Sequence, residues 1–483
     1  MKARIFADEN RKWWTLTAVA FGLFMIMLDN TVVNVALPSM QRSLHLKISA
    51  LEWVVTGYAL TFGAFMLTGG KLADLFGRRL IFVVGLAVFT ASSLACGLAS
   101  SGSVLIAARV VQGLGAAMMN PATLSIITVT FPPKQRGTAI GIWAGISALA
   151  LAIGPLVGGL IAQRINWNWI FFINIPVGLI AIAAAFAFID ESRDTSHEQR
   201  PDVPGLATSA LGLFALSYAL IESNTYGWTS ARILGAFAVA AVALGSFVLL
   251  ELHQRLPMLD LSLFRNRVFA GANTVMLLVG LAMFGVFFYV SLYVQQVLGY
   301  TPTQAGGAFL PWTVLIILLA PQAGRLSDRI GPGPLVTTGM VVLTGSLVLF
   351  ARMGVHETFW GLLPAMVLGG IGMSAAMAPV TAAAMSSVTP DKAGVGSAVL
   401  NSMRQVGGSL GIAIMGAIVA AGISSSAKAG NPHPVAFVNG FHHALLVAAG
   451  IAAVGAILAA VSLRKAPHHK PGGERKTALA EAA

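Results

Sequence analysis

The chain is predicted to be an all-α integral membrane protein of fourteen transmembrane helices, two six-helix bundles with two further helices inserted between them. Three observations predict this: a mean hydropathy of +0.80, a scarcity of charge, and an internal repeat that matches the first half of the chain to the second. Charged residues are 10% of the 483, against about 25% in soluble domains. Apolar residues reach 56%, so there is too little charge to coat a water-facing surface, and a soluble fold is excluded. The net charge of +12 would suit nucleic acid, but the basic residues are scattered through short loops. Anionic lipid headgroups explain that distribution better. The single cysteine, Cys96, excludes an intrachain disulfide framework and any cysteine-based zinc or iron–sulfur site. It reads as a small residue packed in a helix.

Apolar runs of the length needed to cross about 30 Å of hydrocarbon lie near 15–37, 51–69, 80–99, 104–126, 138–162, 169–189, 203–221, 231–250, 268–294, 305–323, 335–351, 358–382, 396–420 and 440–463. Lys2, Arg4, Arg11 and Lys12 precede the first run as they would a signal peptide. That run carries Asp29 and has no small-residue cleavage site before Pro38, so it reads as a retained helix. With the N-terminus inside, 22 Lys and Arg fall in inside segments and 6 in outside loops. The excess places both termini in the cytoplasm, as an even number of spans requires. Trp13, Trp14, Trp167 and Trp169 sit where an interfacial aromatic belt is expected. The expected divisions are a cytoplasmic N-terminus (1–14), a first bundle (15–189), a linker with two inserted helices (190–267), a second bundle (268–463) and a basic cytoplasmic tail (464–483).

The repeat sets the architecture. Gly70-Lys71-Leu72-Ala73-Asp74-Leu75-Phe76-Gly77 returns 254 residues later as Gly324-Arg325-Leu326-Ser327-Asp328-Arg329-Ile330-Gly331. Gly113, Gly115, Pro133 and Gly137 return 257 residues later as Gly370, Gly372, Pro390 and Gly394. Two matches in the same order make spans 1–6 and 9–14 parallel halves, with spans 7 and 8 as a bridge. Such halves around a central cavity are an alternating-access layout.

Within this frame the intramembrane charges are the functional candidates, because each is costly unless paired or hydrated. Asp29 lies about 21 Å along span 1 from its inner end, and Arg109 about 8 Å from the outer end of the oppositely directed span 4. In a core of about 30 Å those depths coincide, so the two can meet, directly or through Gln112. Asp29 is the expected proton carrier, with Arg109 holding its charge until a proton or a cationic substrate competes. A static buried pair is the plain alternative. The paired loops carry Asp74 with Arg78 and Arg79, and Asp328 with Arg325 and Arg329; with Gly70 and Gly77 they read as a latch between bundles, broken on opening inward. Solvated loop charges are the alternative there.

Several of these segments resemble the major facilitator superfamily, and more closely its fourteen-span drug:proton antiporters of the EmrB/QacA type. The resemblance covers about residues 10–465. Leu28 through Pro38 is similar to the first-span motif of those antiporters, Gly70 through Arg79 to the superfamily loop signature, and Arg109 through Ala117 to the fourth-span motif. Gly154-Pro155-Leu156-Val157-Gly158-Gly159 resembles the fifth-span motif of exporters, although Ala150 stands where glycine is usual. Asn174 through Gly178 and Asn401 through Gly408 resemble stretches of the fourteen-span group.

The resemblance implies a major facilitator fold in a bacterial cytoplasmic membrane. It also implies export of amphipathic, cationic or antibiotic-like molecules in exchange for protons. No cofactor is expected, since the proton gradient supplies the energy, and the expected partners are small molecules, protons and membrane lipids, with the chain acting as a monomer. In the family, Gly154, Pro155, Gly158 and Gly159 are read as a hinge; Pro155 should bend span 5, and the glycines allow packing against the other half. Substrate contacts are expected from Asn34, Phe284, Phe288, Tyr289, Trp312 and Asn401, where aromatic walls adapt to varied ligands; ordinary packing is the competing reading. Arg404 reads as part of a fold-defining hydrogen-bond network. No phosphate-binding glycine loop, zinc-binding histidine pattern or nucleophile–base grouping is present, so no enzyme activity is expected. The rivals are an exporter of lipids or lipid-like metabolites on the same scaffold, and a membrane scaffold that transports nothing.

Overall fold

The computed structural model describes residues 8–193, 202–254, 257, 259–388 and 393–464. Lys2, Arg4, Pro390, residues 194–201 of the linker and the tail beyond Arg464 lie outside those residues. The described residues contain 14 helices long and apolar enough to span a membrane. Spans 1 to 6 are Asn10–Leu44, Ile48–Phe76, Arg78–Gly97, Gly102–Thr130, Thr138–Arg164 and Trp169–Phe188. Spans 7 and 8 are Val203–Tyr226 and Ala231–His253. Spans 9 to 14 are Arg267–Val297, Pro302–Ile330, Pro332–Phe350, Phe359–Ser386, Gly394–Lys428 and His433–Ser462. The number and order match the apolar runs.

The helices outlast the runs. Span 1 belongs to a 37-residue helix, Asp8–Leu44, that continues through Pro38. At 1.5 Å per residue it is far longer than a hydrocarbon core of about 30 Å, so both ends project. Hydropathy also hides breaks. Span 6 is interrupted between Phe172 and Asn174, span 10 at Phe309, and span 9 ends in a π-helical turn, Tyr293–Val297. Span starts are set by short polar side chains. Ser101 caps span 4 and Ser230 caps span 8, while Thr301 and Gln304 form a reciprocal capping box at span 10.

The repeat is physical. Gly77 ends span 2 at φ 120° and Gly331 ends span 10 at φ 85°, backbone that only glycine adopts without strain. Deeper in, a Cβ on Gly115 of span 4 would stand 2.6 Å from the Phe89 nitrogen and 2.8 Å from the Gly85 oxygen of span 3. A Cβ on Gly372 of span 12 would stand 2.7 Å from the Leu343 nitrogen and 2.8 Å from the Gly339 oxygen of span 11. Both halves thus press two helices into backbone contact at the same place. Gly115→Val and Gly372→Val are each expected to lower stability by about 1–3 kcal/mol through overpacking. Thermal unfolding of the purified protein checks this, with Gly345→Val, where a Cβ meets nothing within 4 Å, as the unaffected control.

Within each half, spans 2 and 3 pack on span 4, and spans 10 and 11 pack on span 12. The halves meet along two seams, span 2 with span 13 and span 5 with span 10, and more lightly where span 1 touches span 9. Spans 7 and 8 pair with each other, and span 7 lies against spans 2 and 13. Asn224 Nδ2 donates to the Ala417 carbonyl at 2.8 Å, and Phe214 stacks on Trp53 at 6.5 Å. The inserted pair therefore flanks one seam and leaves the cavity between the halves to the twelve repeated spans.

Candidate functional site

Asp29 and Arg109 meet, as their depths require. The Arg109 guanidinium donates from Nη1 to Asp29 Oδ2 at 2.5 Å and to Gln112 Oε1 at 2.6 Å. Its Nε donates to the Val54 carbonyl at 3.0 Å, and its Cζ lies 4.2 Å from the centroid of the Tyr58 ring. Gln112 Nε2 donates to Ser93 Oγ at 2.9 Å and to Asp29 Oδ1 at 3.3 Å, while Asn174 Nδ2 also donates to Ser93. The cluster draws on spans 1, 2, 3, 4 and 6, all in the first bundle. Asn174 opens one of the stretches that resemble the fourteen-span group, whereas Ser93 and Tyr58 do not stand out in the sequence, since a hydroxyl or a phenol in an apolar run carries no signal of its own. Cys96 is buried beside Gln112, its Sγ 3.7 Å from Oε1.

This cluster is sealed. Asp29 and Arg109 are each 1% exposed, and neither lines the cavity between the halves. In this conformation a cation in the cavity has no direct route to the Asp29 carboxylate, which corrects the expectation that substrate competes for it in place. The next two residues of span 1, Asn30 and Thr31, do line the cavity. Any rotation of span 1 at Asp29 therefore moves the cavity wall.

The cavity is walled by Met27, Met283, Phe284, Phe287, Met373 and Met377, with Asn34, Thr313, Arg404 and Gln405 among the polar residues. Of the expected substrate contacts, Asn34 and Phe284 are in the lining. The other four are not. Phe288 is fully buried, and Tyr289 points to the seam. Trp312 packs between Phe287 and Phe350 against Gly369, and Asn401 donates to the Ser397 carbonyl of its own helix. Phe287 takes the place expected of Phe288, because successive residues of a helix are turned by about 100° and the arc of Met283, Phe284 and Phe287 is the one that faces the cavity.

Every hydrogen bond between the two six-helix bundles among the described residues lies in the half away from the chain termini. Ser291 Oγ donates to the Asn34 carbonyl at 2.8 Å, Gln295 to the Val35 carbonyl at 3.0 Å, and Gln296 to Gln41 at 2.6 Å. Thr303 bonds to Gln163 and Gly159 of span 5. Tyr289 of span 9 donates to Glu52 Oε1 of span 2 at 2.6 Å. Glu52 is 3% exposed, its Oε2 has no partner, and it lies where Gly416 of span 13 has no side chain. Sequence reading missed this carboxyl because it falls four residues from a span end and looks interfacial.

Span 5 divides its glycines. Gly154 and Gly158 pack on Thr31 and Val32 of span 1, in the same half, and only Gly159 meets the other half, at the Pro302 carbonyl. Pro155 lies within one continuous helix, Pro133–Arg164, and its carbonyl faces Gly306 of span 10. The expected packing against the other half thus holds for Pro155 and Gly159 and not for Gly154 and Gly158.

Among the described residues no ion pair joins the two repeated loops. Asp74 Oδ1 accepts from Arg78 at 2.9 Å within its own loop, and Arg79 donates to the Ile189 carbonyl at 3.2 Å. The Glu191 carboxylate accepts from the backbone nitrogens of Arg79 and Leu80 and lies where Gly77 has no side chain. Gly70 lies beside Pro121, and Lys71 donates to the Pro257 carbonyl at 2.6 Å. Arg325, Asp328 and Arg329 are exposed and make no ion pair among the described residues. Hydrogen bonds thus join the bundles in the half away from the termini, and the latch expected between the repeated loops is not seen as an ion pair among the described residues.

Comparison with known proteins places this architecture. The sequence pattern of the Major Facilitator Superfamily matches residues 19–412. The chain is 37% identical over 417 residues to the tetracenomycin C resistance and export protein of Streptomyces glaucescens, covering 85% of this chain and 77% of that one. It is 35% identical over 457 residues to the puromycin resistance protein pur8 of Streptomyces alboniger, covering 93% and 90% respectively. Its fold is similar to the crystal structure of a bacterial homologue of the human lysosomal transporter Spinster in an inward-facing, unoccupied conformation. That similarity has a TM-score of 0.67 at 16% identity over 94% of this chain and 98% of that one.

Proposed function

This chain belongs to the Major Facilitator Superfamily, and on that premise we propose that it is a proton-coupled exporter of amphipathic, antibiotic-like molecules working by alternating access. The excess of Lys and Arg on the face of the termini supports placing that face in the cytoplasm of a bacterial cell. The hydrogen-bonded half is then the outer one, and the structure corresponds to an inward-facing state.

The observation that carries the reading is the sealed Asp29–Arg109–Gln112 cluster, one residue along span 1 from the cavity wall. In its charged form the Asp29 carboxylate is held by the Arg109 guanidinium. A proton that reaches Asp29 dissolves the pair and leaves Arg109 to Gln112 and the Val54 carbonyl. Span 1 is then free to turn, and Asn30 and Thr31 turn with it. Drug and proton need never share a site. One charge crossing 100 mV is worth about 2.3 kcal/mol, enough for each proton to support a large outward gradient. Inverted vesicles under a proton gradient test this: the wild type should accumulate an exported drug and Asp29→Asn should not, and equal accumulation would exclude Asp29 from the mechanism.

The outer seam gives a second expectation. Tyr289→Phe removes the hydroxyl that joins the bundles at Glu52 and should favour the outward-open state by about ten-fold, the worth of one buried hydrogen bond. Spin labels on the span 1–2 and span 9–10 loops report it as a larger fraction of long distances.

A further inference from the structure

The Arg404 guanidinium is the anomaly of the cavity. Arg109, by contrast, is held by an acid, an amide, a carbonyl and an aromatic ring. Arg404 lies about 15 Å into span 13, near mid-membrane, and lines the cavity. Its Nε is buried with no hydrogen-bond partner, and its side chain takes part in no ion pair among the described residues. Beside it, Gln405 leaves both Oε1 and Nε2 unsatisfied, and across the cavity Asn34 Oδ1 is unsatisfied too. No Asp or Glu is in the lining. Asp29, the nearest acid along span 1, is already committed to Arg109.

A fixed guanidinium with five donors, no acceptor and no removable proton is complementary to one kind of group: an oxygen anion or a dense set of carbonyl acceptors. A cation placed there meets repulsion and no compensating carboxylate. The surrounding Met and Phe side chains suit an apolar body of variable shape. Asn34 and Gln405 can turn either an amide N–H or a carbonyl toward it.

We propose that the central cavity is a binding site for amphipathic organic anions, an apolar ring system bearing a carboxylate or phenolate, with Arg404 as the residue that determines this specificity. The inference rests on the exporter reading above and narrows its substrates to the acidic members of the antibiotic-like class. Such cargo suits the direction of transport, because a membrane potential negative inside drives an anion outward.

Three probes that share one ring system test it: 1-pyrenebutanoate, neutral 1-pyrenebutanol and 1-pyrenemethylammonium. Binding to the purified full chain in nanodiscs of zwitterionic lipid is read by energy transfer from tryptophan, with empty nanodiscs as blank. The wild type should bind the carboxylate about ten-fold tighter than the ammonium, as a charge-assisted bidentate contact requires. Arg404→Gln should erase that preference, and Arg404→Lys, which keeps the charge and loses the bidentate fork, should keep its sign at a smaller ratio. A wild type that binds the ammonium equally or better overturns the proposal, and needs no variant to fold. So does an Arg404→Gln protein that keeps the carboxylate preference. Adding phosphatidylglycerol separates the two sources of an anionic group. Carboxylate affinity unchanged supports a free amphipathic ligand, whereas a wild-type loss of about ten-fold that Arg404→Gln does not show assigns the guanidinium to lipid phosphate and overturns the proposal. No proton gradient is used, so failure here leaves the Asp29 experiment standing, and failure there leaves this one.

Discussion

Replacing Asp29 by Asn is expected to abolish uphill drug transport, with a loss of about 100-fold or more in gradient-driven accumulation, while drug binding changes by no more than a few-fold. The two effects separate because of where the carboxyl sits. Asp29 is sealed from the cavity, so its removal takes no contact from the ligand. Asn keeps the size of the side chain, its one carbonyl oxygen can still accept from Arg109, and Arg109 keeps Gln112 and the Val54 carbonyl, so the five-helix cluster should stay folded. What it cannot do is exchange a proton. Downhill equilibration of drug across proteoliposomes should survive, which marks an uncoupled carrier rather than a broken one.

Removing the other partner is expected to be worse. Arg109→Met leaves Asp29 buried against Gln112 with no cation, and breaking a buried pair from one side costs about 3–5 kcal/mol. Folded yield and thermal stability should collapse. Combining Arg109→Met with Asp29→Asn removes the orphaned charge, so the double variant should recover most of the stability while staying uncoupled. The cycle of four proteins, compared by thermal unfolding, isolates the pair from the packing of Arg109 on Tyr58. If the double variant is as unstable as Arg109→Met alone, the arginine serves the fold through Val54 and Tyr58 rather than through the acid.

The membrane layout was legible because hydropathy over about 20 residues is a strong signal, and all fourteen spans fall where the apolar runs lie. Averaging over such a window also hid the breaks at Ile173 and Phe309. The Asp29–Arg109 meeting was legible from rise per residue alone, since two oppositely directed helices with matched depths leave little room for anything else. Rotation about a helix axis was not legible. It decided that Phe287 rather than Phe288 faces the cavity, that Tyr289 reaches a seam, and that Gly154 serves span 1 instead of the other half. Glu52 and Arg404 escaped for opposite reasons. The first sits near a span end, where charge is cheap, and the second sits in a motif where a role in the fold was the simpler reading.

The central claim is that one proton site, Asp29, is linked to drug binding through span 1. It is tested most directly by counting protons released when an exported drug is added to the purified protein in lightly buffered nanodiscs. The wild type should release protons in proportion to drug bound, over a pH range in which Asp29→Asn binds the same drug and releases none. Equal release from both proteins would contradict the account and move the proton elsewhere.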